Sequence, residues 1–400
     1  MSEQAPEPHR DKKRILVLCD YYLPSNKGGG GTWTVVNLIE RFCDRYDFFV
    51  ITRNHESRTD TRPFESVKTN EWNSVGNAQI YYLAPADFTC RKLIRLVQEV
   101  SPAGVYLNSA FSKPTIKILL LMRFTPSLAL PIILAPCGEL SEGALSLKWL
   151  KKRLFLMFAK STSLYSKVHW KATTDLESSE IKKVFGKSVR PLVAPDLPPK
   201  QILPDFSTAE KPGKEVGKIK FIFYSRIDRK KNLLFVLDLL SDIDRKQDIE
   251  LAIVGPIEDH GYWQVCKRKI ARLPALIDVK IVGAVSNEAG LKQLTLNHFL
   301  VLPTLGENFG YVILEALSAG CPVLISDRTI WSDLLAKHAG WSIPLDDKTT
   351  WKANISSCID FDQAQYAAMS QNARQLAVDW LRSPDLEIAT EKILVEVFGV

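Results

Sequence analysis

Two doubly wound α/β domains facing each other across a cleft are the architecture this sequence predicts, on three observations. The 400 residues exceed what one compact core comfortably holds, short apolar runs alternate with helix-spaced segments, and a proline-rich stretch interrupts the alternation near the middle. With 46% hydrophobic and 24% charged residues, the composition is globular and excludes a disordered chain.

In chain order, residues 1–13, "MSEQAPEPHRDKK", are polar and proline-containing and read as a disordered tail without the apolar stretch of a secretory signal. "RILVLCD" from Arg14 then reads as a strand, followed by a Gly-rich loop and by "TWTVVNLIERFCDRY", where Val35, Leu38, Ile39 and Phe42 keep helical spacing. Strand-like runs recur at "DFFVIT" (47), "AQIYYLA" (78), "AGVYLNS" (103), "LPIILAP" (130) and "VHWKATT" (168), which makes 14–195 the first domain. Between Pro191 and Lys218 the periodicity fails and six prolines accumulate, so 196–217 is expected to be the linker. A second series follows over 218–380, with strands at "IKFIFYS" (219), "IELAIVG" (249), "VKIVGAV" (279), "HFLVLP" (298) and "PVLIS" (322). Residues 381–400 form a last helix, expected to pack back towards the first domain. Strands alternating with helices imply largely parallel sheets, whose ligands bind beyond the carboxyl ends of the strands.

Charge is uneven. Lys plus Arg against Asp plus Glu is 29 against 19 over residues 1–200 and 23 against 26 over 201–400, so the first half carries about +10 and the second about −3. A basic first half suits an anionic partner, either a membrane surface or a phosphate-bearing acceptor. The seven cysteines are scattered and never within CxxC reach, which suggests neither a disulfide framework nor a zinc site and fits a cytoplasmic protein. The longest apolar runs are about half of the roughly 18 residues of a membrane span, so none is expected. "LKWLKKRLFLMFAKSTSLYSK" (147–167) sets Lys148, Lys151, Lys152, Arg153 and Lys160 among Leu, Trp and Phe, a cationic amphipathic helix that could lie peripherally on anionic lipid. Nucleic acid is not an expected partner, because the basic residues form no recognisable stacking module.

Three segments could carry chemistry. Gly28 to Gly31 lie between the first strand and its helix, where bare backbone can approach a ligand; neither a P-loop nor a GxGxxG pattern is present. Arg226 ends the first strand of the second domain and Lys231 stands five residues on, which places a forked and a point cation at the same strand end, while Asp228, Arg229 and Lys230 are expected in solvent. "PTLGENFGYVILEALSAG" has Asn308, Phe309 and Gly310 at a helix entrance, whose free N–H groups and positive dipole form an anion site. Two carboxylates beside an anion need hydroxyl partners, so Glu307 and Glu315 read as sugar and ribose acceptors.

These segments resemble the retaining glycosyltransferases of family 4, with the two-domain architecture called GT-B. Glu307-Asn-Phe-Gly-Tyr-Val-Ile-Leu-Glu315, with Ala-Leu-Ser-Ala-Gly-Cys-Pro-Val after it, resembles the E-x7-E signature of that family. Ser225-Arg226-Ile-Asp-Arg-Lys-Lys231-Asn resembles its Gly-Arg-x4-Lys-Gly segment, with serine and asparagine in place of the flanking glycines. "PCGELSEGALSLKWLKKRLF" and "HWKATTDLESSEIKKVFG" are similar to segments of its first domain. The resemblance implies metal-independent hexosyl transfer from a nucleotide diphosphate-sugar to a saccharide or lipid-linked acceptor, in surface polysaccharide or glycolipid synthesis, with no cofactor beyond the donor substrate. Carried over, Arg226, Lys231 and Glu307 are the catalytic set, the first two on the diphosphate and the third on the donor sugar. Glu315 holds the ribose, the amides of Asn308, Phe309 and Gly310 hold sugar and phosphate, and Gly29 and Gly30 line the opposite wall. One departure is Cys137, where many members of that family have histidine; His169 is expected to be structural. The intact cation and glutamate set favours an enzyme, whereas Cys137 keeps open a silent nucleotide-sugar-binding scaffold subunit of a membrane-associated assembly.

Overall fold

The computed structural model describes residues 12–25, 29–56, 61–125, 128–146, 149–200, 211–243 and 248–399. The expected tail, apart from its last two residues, Gly28, Lys148 and the middle of the expected linker lie outside the described residues. The described chain divides into two units.

The first unit begins with β1 (Lys13–Leu18), α1 (Gly30–Phe42), β2 (Tyr46–Arg53), β3 (Trp72–Val75), β4 (Ala78–Leu83), α2 (Cys90–Val100), β5 (Gly104–Asn108), α3 (Lys113–Phe124) and β6 (Ile132–Ala135). Next come α4 (Glu142–Ser146), α5 (Trp149–Ser161), β7 (Val168–Ala172), α6 (Asp175–Phe185) and β8 (Leu192–Val193). Residues 140–149, with α4, group with the second unit instead. The sheet order is β3-β4-β2-β1-β5-β6-β7-β8, parallel except for the β3–β4 pair. Helices on both faces leave the central strands no solvent side, which is why Ile15 to Leu18 and Val105 to Leu107 are buried continuous apolar runs instead of alternating ones. Thr89, Ser112 and Thr174 cap α2, α3 and α6 by accepting backbone N–H groups of the first turn, which fixes where each helix starts.

The second unit carries β9 (Lys218–Tyr224), α7 (Leu233–Ser241), β10 (Asp248–Val254), α8 (His260–Ile270), β11 (Ile277–Gly283), α9 (Asn287–Thr295), β12 (Phe299–Leu302) and α10 (Tyr311–Ser318). It continues through β13 (Val323–Ser326), β14 (Gly340–Ile343), α11 (Lys348–Asp360) and α12 (Gln363–Arg382). Its order is β11-β10-β9-β12-β13-β14, with every pair parallel. Phe221, Phe223, Leu251, Ile253, Phe299 and Leu300 fill its core.

The last helix, α13 (Asp385–Phe398), groups with the first unit from Glu387 onward. Arg41 of α1 and Arg45, in the turn after it, donate to Glu387 and Glu391, and the ring of Phe398 lies where a Cβ on Gly104 would stand, so β5 can begin there only with glycine.

The expected linker, 196–217, starts and ends inside the units. Asp196 and Leu197 are buried in the first, and the carbonyls of Pro198 and Pro199 accept from Arg41 at 2.9 and 3.1 Å. At the other end Lys214 is buried, its Nζ donating to the carbonyls of Ile359 and Phe361 at 2.8 Å each. Prolines ended the helical periodicity there without ending the packing.

Candidate functional site

Each sheet has one point where the strand order reverses, and the singled-out residues fall beside it. In the second unit β9 is flanked by β10 and β12, so the loops leaving β9 and β12 border the crevice in which open α/β sheets bind ligands. Arg226 and Lys231 are on the first of these loops, and Glu307 to Gly310 on the second.

Arg226 is held from an unexpected direction. Gly255, at φ +131°, lets the end of β10 pass so close that an added Cβ would sit 2.0 Å from the Ser225 carbonyl oxygen. Ile227 bridges to Ile257, and the Arg226 guanidinium donates to Glu258 at 2.9 Å while its side chain stays 41% exposed. Half in water, that pair contributes little to stability. Its effect is to aim the cation. Glu258 lies 32 residues from Arg226 in sequence and no motif pointed to it.

Lys231 is buried differently. Asp228 accepts the Lys231 N–H at 3.0 Å, and Asn232 in the left-handed region (φ 63°) turns the chain into α7. The ammonium then reaches the Glu307 carboxylate, with the two side chains only 9% and 10% exposed. Burial would raise the Glu307 carboxyl, but the ammoniums of Lys231 and Lys230 outweigh it and hold it below its ordinary value. Asp228 and Lys230 therefore correct the expectation that both stand free in solvent. Asp228 shapes the turn, and Lys230 accepts Leu305 N–H on its carbonyl at 2.7 Å while its side chain acts on Glu307. Only Arg229 is solvent-exposed as expected, paired with Asp259.

The Glu307 backbone is pinned as well, donating N–H to the Arg328 carbonyl at 3.0 Å. Phe309 places its side chain in the core: it is 2% exposed, packs on Tyr311, Trp331 and Trp380, and its carbonyl accepts the Trp331 indole at 2.9 Å. Its ring is an anchor of the loop. Gly310 caps α10 in the left-handed region (φ 80°), where a Cβ would meet the Ile313 Cδ1 at 2.9 Å. Asn308, Phe309 and Gly310 thus stand at a helix entrance, where backbone N–H groups have no intrahelical acceptor. Glu315 is on α10 itself, where burial pushes its carboxyl up to about 7. Tyr224, at the end of β9, lies within electrostatic reach of it, and Tyr224 Oη occupies the space that a Cβ on Gly290 would need.

The first unit repeats the logic at the β1/β5 switch. Gly29 (φ 67°) precedes α1 and Gly30 opens it; the Thr34 hydroxyl donates back to the Gly30 carbonyl at 3.1 Å. Asn108, ending β5, donates to the Gly31 carbonyl at 2.8 Å and accepts the Cys137 thiol at 2.9 Å. Cys137 is in the left-handed region (φ 52°), and burial pushes its thiol up, so it is not a thiolate nucleophile. Sequence reasoning missed the acids that hold this region. Glu139 accepts from Ser109 Oγ and the amides of Ala110 and Phe111, and Glu177 accepts the amides of Gly138 and Thr173 at 2.6 and 2.7 Å. Asp196 takes Lys171 at 2.7 Å. His169 is exposed at the opposite, amino-terminal end of β7, so it neither stands in for a histidine at position 137 nor fills a core. Among the described residues no three His, Cys, Asp or Glu side chains converge as a metal site would require.

Residues 206–376 match the family described as Glycosyl transferases group 1. Within that matched stretch lie Arg226, Lys231, Glu307 to Gly310 and Glu315. No curated protein matches the chain. Among solved structures, sucrose-phosphate synthase from Thermosynechococcus elongatus aligns at TM-score 0.72 and 14% identity over 97% of this chain and 100% of its own. Anabaena HepE, in complex with UDP and glucose, aligns at 0.63 and 15% over 97% and 100%. An α,α-trehalose-phosphate synthase from Burkholderia xenovorans, in complex with glucose-6-phosphate, aligns at 0.68 and 12% over 97% and 100%. These likenesses extend beyond residues 206–376 to nearly the whole chain and show the GT-B fold.

Proposed function

We propose that this chain is a retaining, metal-independent glycosyltransferase. It would move a hexosyl group from a nucleotide diphosphate-sugar to a saccharide or lipid-linked acceptor in surface polysaccharide or glycolipid synthesis. The observation that carries the proposal is the convergence of Arg226, Lys231 and Glu307 from two loops at one switch point within the stretch that matches group 1 glycosyl transferases. Breaking a glycosyl phosphate bond builds negative charge on the leaving diphosphate, and cations fixed beforehand stabilise that charge without reorganising. Arg226 and Lys231 take this role, while Glu307, relieved of part of its pairing when Lys231 turns to phosphate, accepts from donor-sugar hydroxyls. Glu315 accepts from the ribose, and the amides of Asn308, Phe309 and Gly310 receive phosphate and sugar. Gly29 and Gly30 offer the backbone of the first unit to the transferred sugar. The UDP and glucose bound by HepE, a protein of the same fold, support this class of donor.

The deciding experiment is transfer and hydrolysis with UDP-, GDP- and ADP-sugars in the presence of a chelator. Activity should persist with the chelator and fall about 100-fold or more in Arg226→Ala, with the fold retained. Nucleotide-sugar binding without turnover across acceptors would instead identify a scaffold subunit.

Helix α5 supports a peripheral membrane role. Trp149, Leu150, Leu154, Met157 and Phe158 are 46 to 59% exposed on it, and Lys151, Arg153 and Lys160 flank them in solvent. An apolar stripe edged by cations suits an anionic lipid interface, which would hold the chain on the cytoplasmic face of a membrane beside a lipid-linked acceptor. No described helix is long and apolar enough to cross a bilayer. Replacing Lys151, Lys152 and Arg153 with Ser should abolish flotation with anionic vesicles and spare activity on a soluble acceptor; unchanged flotation would remove the membrane role.

A further inference from the structure

The two edges of the second sheet are built differently. At β14 both Gly340 and Ile343 are buried, whereas at β11 Leu276, Ile281 and Val282 are 39 to 53% exposed. Parallel sheets are normally covered on both faces, and an exposed apolar edge strand is a template for another chain.

The backbone of β11 is oriented for such pairing. Ile249 of β10 donates N–H to the Leu276 carbonyl at 3.1 Å, and the two strands run parallel. Alternate residues of a strand bond to one neighbour, so Leu276, Asp278 and Lys280 turn their backbone groups to β10, and Ile277, Val279 and Ile281 turn theirs away. The Ile277 N–H is taken by the Pro274 carbonyl at 2.9 Å. Among the described residues no strand pairs with the outer side of β11, which leaves the Ile277 carbonyl and both backbone groups of Val279 and Ile281 to a further strand.

The side chains say which strand fits. "LIDVKIV", Leu276 to Val282, is symmetric about Val279: apolar residues balance apolar residues, and the acid balances the base. Laid antiparallel on a second copy with the two Val279 residues opposite, Asp278 meets Lys280, Ile277 meets Ile281 and Leu276 meets Val282. Opposite charges facing each other across a strand pair are favourable and like charges are not. A pairing centred on Asp278 or Lys280 sets like charges together, and one centred on Ile277 or Ile281 sets both charges against apolar residues. Val279 also turns its backbone outward, so it can exchange both bonds with its counterpart, as facing antiparallel residues do. Lys280 alone would guard the edge by repelling its own copy; Asp278 two residues earlier turns that repulsion into a mark of register. The charges continue inward as a row of alternating sign. Lys280 donates to Glu250 at 2.5 Å, and Glu250 lies 3.8 Å from Lys220.

We infer that β11 pairs antiparallel with β11 of a second copy of this chain, joining two six-stranded sheets across a two-fold axis centred on Val279. Backbone bonds and the apolar residues hold the pair, and the exposed charges select its register. The pairing is isologous and uses the one open side of β11, so assembly through it closes at two copies. The inference does not depend on the proposed transferase activity.

Sedimentation velocity on the full chain is the test, over a concentration series reaching about 0.2 mM because the interface is small. Wild type should dimerise with rising concentration. Asp278→Lys and Lys280→Asp should each dimerise at least about tenfold more weakly, since both facing charge pairs become like-charged. Mixed in equal amounts, the two variants should regain a dimer of about wild-type strength, because each edge then meets the opposite charge. Val279→Pro removes a donor that faces away from β10, so it should melt near wild type and remain a monomer. A wild type that stays monomeric, single variants or Val279→Pro that dimerise as wild type does, a mixture that forms no heterodimer, or growth past the dimer would each overturn the pairing.

Discussion

Lys231→Met is expected to lower kcat/KM by about 100- to 1,000-fold and to destabilise the folded chain by about 3 kcal/mol near pH 7.5, two effects with separate causes. The stability loss follows from the Glu307 carboxylate, which is nine-tenths buried and loses its ion-pair partner in the variant. In the wild type that carboxyl is held below its ordinary value, so the stabilisation it represents is present above the unfolded-state pKa and fades as pH falls through the folded one. In the variant this contribution is missing at neutral pH, and wild type and variant should converge in acid, where the carboxylate is protonated in both. The double variant Lys231→Met/Glu307→Gln removes the stranded charge and should recover most of the stability. Activity should not return with it, since no cation has been restored for the leaving diphosphate. Urea unfolding and transfer kinetics on the three variants separate the two effects. A double variant that regains wild-type turnover would reduce Lys231 to a structural partner of Glu307.

Most of the sheet architecture is legible in the sequence because parallel strands covered on both faces must be apolar throughout, and "ILVL", "YLN", "IIL", "FIF" and "FLVL" are such runs. The strands left unread are β3, whose "WNSV" pairs antiparallel at a half-exposed edge, the two-residue β8, and β14, whose "GWSI" holds no apolar run. At the site, Arg226, Lys231, Glu307 and Glu315 could be read because each pair is carried on one continuous segment. Glu258 could not, because it reaches Arg226 only through the Ile227–Ile257 bridge and the close pass at Gly255. Glu139, Glu177 and Asp196 were hidden for the same reason: their partners are backbone amides and a lysine supplied by other strand ends. The Phe309 side chain has a part that the motif did not show: its ring anchors the loop through the Trp331 and Trp380 rings, and Gly310 turns the chain into α10.

Glu315→Gln should change the pH dependence of both stability and donor binding, in opposite directions. Burial raises the Glu315 carboxyl from its ordinary 4.5 to about 7, so between those values the folded chain holds a proton that the unfolded chain has released. Its stabilisation is complete below pH 4.5, declines as pH rises and is gone above 7, a total of about 3 kcal/mol at 1.36 kcal/mol per pKa unit. Glutamine has no proton to lose, so the stability difference between variant and wild type should grow by about that amount from acid to pH 8, with the variant gaining. Under the proposed function the ribose needs the carboxylate, because a charged acceptor forms the stronger hydrogen bond. Nucleotide diphosphate affinity in the wild type should therefore weaken about tenfold on going from pH 8 to pH 6, the factor set by a carboxyl titrating near 7. The variant should bind weakly at both pH values, and comparing the two proteins removes the titration of the nucleotide itself. Parallel pH profiles would separate Glu315 from the ribose while leaving the stability effect in place, because desolvation acts on that carboxyl whether or not a nucleotide ever meets it.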